Sequence, residues 1–425
     1  MNGERGMDVL VVGSGAREHA LGWKLASSPG VAKVLFASGN AGTSRVGENL
    51  AVKPTDVDGI VATARDRGVG LVVVGPEAPL AAGLVDALQE ASIPAFGPTR
   101  AAARLEASKG FAKDFMKSHG VPTAAYEVFE DAEAAVRWVR ERGRPMVVKA
   151  DGLAAGKGVV VASTVDGTVA ALESIMVERA HGEAGARVVV EERLEGPEVS
   201  YHVVSDGERY VALAAAQDHK RLRDGDEGPN TGGMGAYSPP PMVTPAVERA
   251  IRERVVEPTL RGMREAGTPL RGALFVGLMV VDGAPKVLEY NVRFGDPETE
   301  VLMARWDGDV LPLLLGSARG DLGGVEPRWG APAAMCVVLA SEGYPGAYAK
   351  GRVIEGLDAV PEGVTVFHAG TARDGERVVT SGGRVLCVTA TGDDVPAAAA
   401  RAYAGVDAIR FEGAQHRRDI GWQAR

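Results

Sequence analysis

A short apolar run in the second half of the chain leads into three groups that could do chemistry, Glu289, Asn291 and Arg293. Because side chains at i and i+2 share a face of a strand, we expect these three to point together, away from Leu288 and Tyr290. Carboxylate and amide oxygens suit Mg²⁺ shared with phosphates, and an arginine fork binds a carboxylate or a phosphate. The alternative is a solvated polar face with a surface ion pair. The concentration of polar types beside glycine favours a metal site at Glu289 and Asn291.

A second stretch combines lysine with glycine and runs from Lys149 through Gly152, Gly156 and Lys157 to Gly158. It fails the P-loop pattern, because the Gly152 to Gly156 spacing is one residue short and Gly158 replaces the hydroxyl residue that would bind Mg²⁺. The glycines still permit a flexible flap over phosphates. Lys149 ends an apolar run, where a cation is costly without an anionic partner. A lysine that reaches solvent is the other interpretation.

A third candidate is the turn of Gly13, Ser14 and Gly15, which follows the apolar run 8–12. It begins like a dinucleotide-binding fingerprint, but Glu18 stands where the third glycine is expected, and no acid follows the next strand to hold a ribose. NAD binding is therefore a weak interpretation. Backbone N–H groups at a helix start can hold a phosphate, and a turn used only for packing is equally compatible with these residues.

A long polar, glycine-rich connection at 226–235 follows the charged stretch that contains Asp218 and Lys220. Such a connection inside a compact domain is usually functional or disordered. The charges just before it favour a functional role.

Hydrophobic periodicity predicts where these groups lie. Apolar runs at 8–12, 31–37, 71–75 and 93–96 alternate with helical stretches and predict a parallel α/β layer, with a helical connector at 101–120. Beyond the connector the pattern changes to α+β. A hairpin is predicted around the Lys149 loop, and the later runs predict antiparallel strands, at 188–192, 198–204, 210–216, 274–281 and 286–291. After about residue 328, short strands with glycine-rich turns predict a small β-rich domain.

Composition restricts the class of protein. The 425 residues suggest roughly two to four domains. A net charge of −9 and an aromatic content of 5% make nucleic acid an unlikely partner. The two cysteines, Cys336 and Cys387, form no CxxC pair, which argues against a disulfide scaffold or a zinc site. No apolar run approaches the ~18 residues of a membrane span, and the N-terminus lacks a signal-peptide pattern, which favours the cytoplasm.

Taken together, the motifs resemble those of the ATP-grasp enzymes, and within them the glycinamide ribonucleotide synthetase family. The stretches that carry the resemblance follow family order along nearly the whole chain, at 11–21, 75–80, 149–161, 217–221, 228–239, 289–300, 343–346, 367–371 and 381–390. Ala16 is a small departure, because many relatives have glycine there. Another ATP-grasp ligase, a nicotinamide oxidoreductase and a non-catalytic nucleotide sensor are the competing interpretations.

The resemblance implies an architecture and a reaction. The expected domains are an N-terminal α/β domain at 1–103, an ATP-grasp domain at 104–327 with a lid subdomain at about 124–193, and a C-terminal domain at 328–425. The expected reaction is ATP-dependent ligation of glycine to phosphoribosylamine through glycyl phosphate, in purine synthesis, with Mg²⁺ or Mn²⁺. The expected partners are these small molecules, without nucleic acid or membrane, and the expected state is a monomer.

The resemblance also assigns roles to residues. Those expected to bind ATP are Lys109, Lys149, Gly156, Lys157, Gly158, Glu191, Leu194 and Glu198. Those expected to bind the other substrates are Gly13, Ser14, Gly15, Pro76, Glu77, Asn230, Thr231, Asp296, Pro297 and Glu298. The expected catalytic groups are Arg293, Asp218 and Lys220, and Glu289 with Asn291 is the expected metal pair.

Overall fold

The computed structural model describes residues 6–153, 158–180 and 182–425. The predicted site residues Gly156 and Lys157 therefore lie outside the described residues. In the part of the chain that is described, no helix is long and apolar enough to cross a membrane.

The N-terminal domain is a five-stranded parallel sheet with the order β3-β2-β1-β4-β5. Strand β4, which lies between β1 and β5, has every residue buried, as expected for a parallel strand covered on both faces. The strand order changes direction between β1 and β4, and ligands of such sheets bind at the carboxyl ends of the strands that flank this point. The elements are β1 (Met7–Gly13), α1 (Ala16–Ala26), β2 (Val31–Ser38), β3 (Glu48–Leu50), α2 (Val57–Asp66), β4 (Leu71–Val74), α3 (Glu77–Ala82), α4 (Leu84–Glu90) and β5 (Ala95–Phe96).

The connector is two helices, α5 (Arg100–Ala107) and α6 (Lys109–Ser118), instead of the single helix predicted at 101–120. The break is at Ser108, which has an extended backbone with φ −133° and ψ 113°. Its hydroxyl accepts a hydrogen bond from Phe111 N at 3.1 Å and so caps the second helix. Lys109 thereby becomes the first residue of α6.

The next segment forms the lid subdomain, a four-stranded antiparallel sheet with the order β6-β9-β7-β8 and two helices on it. The predicted hairpin around the Lys149 loop is the pair of β7 and β8. The elements are β6 (Tyr126–Phe129), α7 (Ala132–Arg142), β7 (Met146–Ala150), β8 (Val159–Val161), α8 (Val165–Leu172) and β9 (Val188–Glu192).

A second antiparallel sheet, with the order β11-β10-β16-β17, faces the lid. The residue Leu288 is an extra residue in β17, because Gly277 pairs with Glu289 whereas Leu278 pairs with Val287. The elements of this segment are β10 (Glu198–Asp206), β11 (Tyr210–Ala212), β12 (Gln217–Asp218), β13 (Arg221–Arg223), β14 (Glu227–Asn230), β15 (Gly235–Ser238), α9 (Pro245–Ile251), α10 (Glu257–Glu265), β16 (Arg271–Val281), β17 (Ala284–Asn291), α11 (Glu298–Arg305) and α12 (Leu311–Arg319).

The C-terminal sheet includes strands from the middle of the chain. Its order is β12-β15-β18-β22-β19, with β23 on the edge of β18. The strands β12 and β15 come from the segment predicted to belong to the ATP-grasp domain, so this sheet crosses the boundary expected at residue 328. The remaining elements are β18 (Ala333–Ser341), β19 (Val364–His368), β20 (Thr371–Asp374), β21 (Arg377–Thr380), β22 (Arg384–Gly392), α13 (Val395–Ala408) and β23 (Ala414–Gln415).

This architecture confirms the predicted fold class of an N-terminal parallel α/β domain, a two-sheet α+β core and a β-rich C-terminal domain. The middle of the chain brings one strand pair to the C-terminal sheet, and that pair includes Asp218 of the predicted site.

Candidate active site

A cleft of about 1020 Å³ lies between the lid and the sheet that contains β17, and its far end reaches the N-terminal and C-terminal domains. Seventeen predicted site residues of the described chain line it, namely Pro76, Glu77, Lys109, Lys149, Gly158, Glu191, Leu194, Glu198, Asp218, Lys220, Asn230, Thr231, Glu289, Asn291, Arg293, Asp296 and Glu298. The chain therefore brings into one cavity most of the groups that the sequence singled out.

A buried charge triad forms the lid side of the cleft. Glu191 on β9 pairs with Lys149 on β7 at 2.5 Å and with Lys113 on α6. Burial would raise the pKa of Glu191, but the two ammonium groups hold it below its ordinary value. Burial lowers the pKa of Lys113 to about 8. Lys149 does not reach into solvent, so its alternative interpretation as a surface lysine is wrong.

Lys113 was not singled out from the sequence. A signal for it existed, because Lys113 lies four residues after Lys109 and residues at this spacing share a helix face. The Lys149 ammonium also donates to the carbonyl of Leu288 at 2.9 Å. That carbonyl belongs to the extra residue of β17, so the bulge supplies an acceptor that a regular strand would use in its ladder.

Lys109 contacts the first residues of the glycine-rich loop. Its ammonium donates to the Gly152 carbonyl at 3.3 Å, and the neighbouring Gly110 amide donates to Asp151 at 3.1 Å. The start of α6 and the start of the loop are thus joined by hydrogen bonds. At the other end of the loop, the Gly158 carbonyl accepts from Ala150 N at 2.8 Å.

The predicted metal pair lies at the centre of the cleft, beside a lysine. The Lys220 ammonium is 3.1 Å from a carboxylate oxygen of Glu198 and 3.7 Å from one of Glu289. Burial would raise the pKa of Glu289, but Lys220, Lys149, Lys109 and Arg293 together lower it to about 2. Glu289 is therefore ionised at neutral pH.

Arg293 connects this centre to the N-terminal domain. Its guanidinium donates to the Asn291 side-chain oxygen at 3.0 Å and lies 3.1 Å from Glu106 and 3.6 Å from Glu77. Glu106 also accepts from Val292 N at 2.8 Å. Sequence reasoning missed Glu106, because no local pattern relates it to a strand far along the chain.

The donor set beside Lys220 fits a hard divalent cation. Glu289 is an ionised carboxylate, and the Asn291 amide lies two residues further along on the same side of the sheet. The Asn291 Oδ1 atom, which would be the ligand atom of the amide, accepts from Arg293 at 3.0 Å and keeps a second lone pair for a cation. Tyr290 points to the opposite face, where its hydroxyl lies 2.6 Å from that of Thr259. The side chains of Glu289 and Asn291 therefore lie on the face opposite to that of Tyr290, as the predicted alternation requires.

The far end of the cleft is rich in carboxylates. Glu298 accepts from the Ser200 hydroxyl at 2.7 Å, and Asp296 pairs with Arg384 at 3.1 Å. Burial and the neighbouring Glu298 raise the pKa of Asp218 well above its ordinary value. Arg384 also donates to the Gly232 carbonyl at 2.7 Å, so it joins the long polar connection to Asp296. Arg384 lies in one of the resembling stretches, but no role was assigned to it.

The Gly13, Ser14 and Gly15 turn lies beside the cleft and is absent from its described lining, as is Pro297. Gly15 nevertheless approaches it, since a Cβ added there would lie 3.4 Å from Asp296 Oδ2. Arg17, two residues later, does line the cleft and was missed from the sequence.

The Glu18 side chain explains why this turn contains glycines, and why the third glycine of a dinucleotide fingerprint is absent at position 18. Its carboxylate accepts from Gly15 N at 2.6 Å and from Arg17 Nε at 2.6 Å. A Cβ at Gly13, Gly15 or Gly75 would lie within 3 Å of the Glu18 side chain. The space beneath the turn, which a dinucleotide fold keeps clear with glycine, is filled by a carboxylate. NAD binding is therefore disfavoured by geometry as well as by pattern.

Comparison with known families accounts for nearly the whole chain. Residues 7–106 match the N domain of phosphoribosylglycinamide synthetase, 107–299 its ATP-grasp (A) domain and 334–423 its C domain. The chain belongs to the phosphoribosylglycinamide synthetase family. This confirms the family that the motifs predicted, and members of the ATP-grasp group bind ATP.

Relatives within this synthetase family are similar along their full length. The chain is 52% identical to a phosphoribosylamine–glycine ligase of Vibrio vulnificus over 422 residues, which cover 98% of each protein. It is also 52% identical to the ligase of the same name from Xylella fastidiosa, covering 98% of this chain and 97% of the relative.

Solved structures agree in fold. The crystal structure of the Thermotoga maritima phosphoribosylamine–glycine ligase matches with a TM-score of 0.85 and 38% identity, over 97% of this chain and all of the other. A biotin carboxylase domain of Hydrogenobacter thermophilus 2-oxoglutarate carboxylase has a TM-score of 0.74 at 19% identity, over 97% of this chain and 92% of that one. The second likeness shows a shared fold.

Proposed function

We propose that the chain is a phosphoribosylamine–glycine ligase of purine synthesis, which uses ATP to form a carbon–nitrogen bond. The observation that carries this proposal is the 52% identity to the Vibrio vulnificus ligase over 98% of both chains. The cleft supports it, because one cavity holds cationic groups for phosphates beside a separate cluster of carboxylates.

We assign ATP to the half of the cleft between the lid and β17. Lys109 and Lys149 lie where they can neutralise phosphate charge, and the backbone from Glu191 to Leu194 lines the same half and can read the adenine edge. Glu198, at the start of β10, is the acceptor for the ribose hydroxyls. Glu191 keeps the two neighbouring lysines charged and in place in the absence of nucleotide.

We assign Mg²⁺, or Mn²⁺, to Glu289 and Asn291. When bound together with the nucleotide, the cation would supply charge neutralisation at the phosphate oxygens. The biotin carboxylase neighbour was crystallised with MgADP, which fits a metal–nucleotide role for this fold. Lys220, 3.7 Å from Glu289, would provide the remaining positive charge at this point.

In the first step, we propose that the carboxylate of glycine attacks the γ-phosphorus of ATP. An oxygen–phosphorus bond forms, the bond to the β-phosphate oxygen breaks, and the products are glycyl phosphate and ADP. Arg293 and Lys220 stabilise the negative charge on the transferring group, because their cationic groups are preorganised by Glu106, Asn291 and Glu198.

In the second step, the amine of phosphoribosylamine attacks the acyl carbon and inorganic phosphate leaves. The attacking nitrogen must lose a proton, and a positioned carboxylate can accept it. Asp218 lines this end of the cleft, and its raised pKa makes its ionised form a stronger base than an ordinary carboxylate. Acyl phosphates hydrolyse readily, so the loop 152–158 serves to exclude water when it covers the phosphates.

For the sugar phosphate we propose the end of the cleft at Pro76, Glu77, Asn230 and Thr231, next to the Gly13 turn. Gly15, Asp296, Pro297 and Glu298 border the same region, with Ser14 exposed beside them. Because Gly15 N already donates to Glu18, the turn offers the phosphate fewer free N–H groups than a dinucleotide fold does. Arg17 adds a cation here.

The deciding experiment measures ADP release with ATP, glycine and freshly made phosphoribosylamine, each omitted in turn. ADP release should require glycine, and glycinamide ribonucleotide should appear only when all three are present. ADP formation that is independent of glycine would contradict the glycyl phosphate mechanism.

All the proposed groups lie on one chain, so a monomer should be active, which sedimentation at assay concentration would test.

A further inference from the structure

The C-terminal segment 417–423 packs against the loop that carries part of the proposed substrate site. This loop joins β12 to β15 and folds into the hairpin of β13 and β14, which we call the substrate hairpin, residues 221–230. The hairpin begins directly after Lys220 and ends immediately before Thr231. The C-terminal segment also lines the cleft itself, through Trp422 and Gln423.

The substrate hairpin has little support of its own. Residues 223–229 are exposed, and they form only a short two-stranded ladder. Isolated two-stranded hairpins are marginally stable in water. At the base, the Thr231 amide and hydroxyl donate to the Lys220 carbonyl at 2.8 Å and 2.9 Å, so a shift of one arm is transmitted to the other. An anchor outside the hairpin is therefore needed to fix its position.

Arg417 supplies that anchor. Its side chain is fully buried, yet its guanidinium reaches the exposed hairpin, donating to Asp226 Oδ1 at 2.7 Å and to the Arg221 carbonyl at 3.2 Å. Two further donors bind Asp419 in a bidentate pair at 2.7 Å and 2.8 Å. A planar guanidinium holds such an arrangement in a way that a flexible ammonium cannot.

Neighbouring backbone groups strengthen the same contact. Asp419 accepts from Gly225 N at 2.8 Å, and Asp224 accepts from Arg418 N at 2.7 Å, so each segment caps an amide of the other. Further along, Gly421 N donates to the ring of His219 at 3.1 Å. His219 lies between Asp218 and Lys220, which the proposed mechanism uses.

We infer that Arg417 is a positioning residue for the ligase reaction, which holds the substrate hairpin so that Lys220, Asn230 and Thr231 stay on the cleft wall. This inference rests on the proposed function, because it concerns how those groups meet glycine and phosphoribosylamine. Arg417 touches neither the lid nor Lys149 or Glu191 among the described contacts. Its influence should therefore fall mainly on the acceptor substrates, and it should reach ATP only through Lys220, which pairs with Glu198.

The test compares Arg417→Met, Arg417→Lys and Asp226→Asn with the wild type. Steady-state kinetics give a KM for each substrate, ATP affinity is measured separately by calorimetry, and hydrogen exchange with mass spectrometry follows the amides of 221–230. Arg352→Met is the matched control, because Arg352 forms an exposed ion pair with Glu412 at 2.7 Å in the same domain.

In Arg417→Met we expect faster exchange in the substrate hairpin and a ten- to hundredfold rise, approximately, in KM for glycine or phosphoribosylamine, as a displacement of about 1 Å can cause. ATP affinity should stay within about twofold of the wild type. Arg417→Lys should recover part of the loss, and the control should change neither readout.

Faster exchange of the hairpin with unchanged KM values, or an equal loss of ATP affinity, would overturn the inference. If Arg417→Met does not fold, Asp226→Asn decides, because it replaces the charged acceptor at the exposed side of the anchor with a neutral amide and so weakens this contact alone. Failure of the proposed function is distinguishable, since it would appear in the wild type as ADP formation without glycine.

Discussion

Lys149 and Glu191 lie on neighbouring strands of the lid sheet, with their charged groups 2.5 Å apart and both side chains almost fully buried. Removing two charges from water is costly, and the attraction between them repays the cost only with good geometry. Glu191 achieves that geometry by serving two lysines at once. The triad therefore maintains buried positive charge at the wall of the cleft.

Replacing Glu191 by Gln should leave the two buried ammonium groups of Lys113 and Lys149 without their carboxylate partner. Breaking a buried pair from one side typically costs about 3–5 kcal/mol, so we expect a loss near the lower figure together with weaker ATP binding. Urea unfolding and ATP calorimetry measure the two effects. Glu48→Gln, which removes the shared partner of the solvent-accessible pairs with Lys33 and Arg67, is the control and should leave both unchanged. A fully stable Glu191→Gln protein would contradict the role of the triad.

Replacing Glu289 by Ala should remove the reaction without removing the fold. Because Glu289 is the ionised member of the proposed metal pair, we expect ADP formation to fall about a hundredfold or more. Metal-dependent quenching of a fluorescent ATP analogue would report the lost ion without any turnover. Glu265→Gln, at an exposed position of α10, is the control. Normal turnover in Glu289→Ala would rule out the metal assignment.

Replacing Glu18 by Gly completes the three-glycine spacing of a dinucleotide fingerprint. It also leaves Gly15 N and Arg17 without their acceptor, at a cost of about 1–3 kcal/mol for a buried unsatisfied group. We expect lower thermal stability and no NAD binding by calorimetry, with Glu18→Gln less affected because it retains an acceptor. A stable Glu18→Gly protein that binds NAD would show that Glu18 alone blocks a dinucleotide site.

Glu300 should make the protein less stable as the pH rises. Burial raises the pKa of this carboxyl well above its ordinary 4.5, and neither of its oxygens has a partner among the described residues. Above pH 4.5 the unfolded chain loses this proton while the folded chain keeps it, so the free energy of unfolding falls by about 1.4 kcal/mol per pH unit until the folded group ionises.

Glu300→Gln removes this titration. The variant should gain stability over the wild type at neutral pH, and the difference should shrink towards pH 4.5. Urea unfolding at several pH values measures it, with the exposed Glu362→Gln as the control. A difference that is constant with pH would mean that folded Glu300 ionises normally.

The features that sequence reasoning predicted depend on local periodicity. The strand that carries Glu289 and Asn291 was predictable because alternation fixes which side chains share a face. Lys113 could have been found in the same way, from its helical spacing to Lys109. The chemical roles of these residues remain predictions, although the family and the fold class are now shown.

Relationships between distant segments could not be predicted. Glu106 meets Arg293 across 187 positions (293 − 106) only because α5 packs against the end of β17. Arg417, near the C-terminus, likewise pairs with Asp226 in the middle of the chain. The strands β12 and β15 are short and lie in a glycine-rich stretch, where neither length nor alternation distinguishes a strand from a loop.

The sheet shared between the middle and the end of the chain makes the C-terminal domain a poor candidate for modular exchange. A cut near residue 328 would strip β15 from β18 and expose a long apolar edge to self-association. Engineers who wish to graft a different C-terminal module would have to transplant residues 217–238 with it, and with them Asp218 and Lys220. The residues proposed for the acceptor site and the domain architecture are inherited together in this chain.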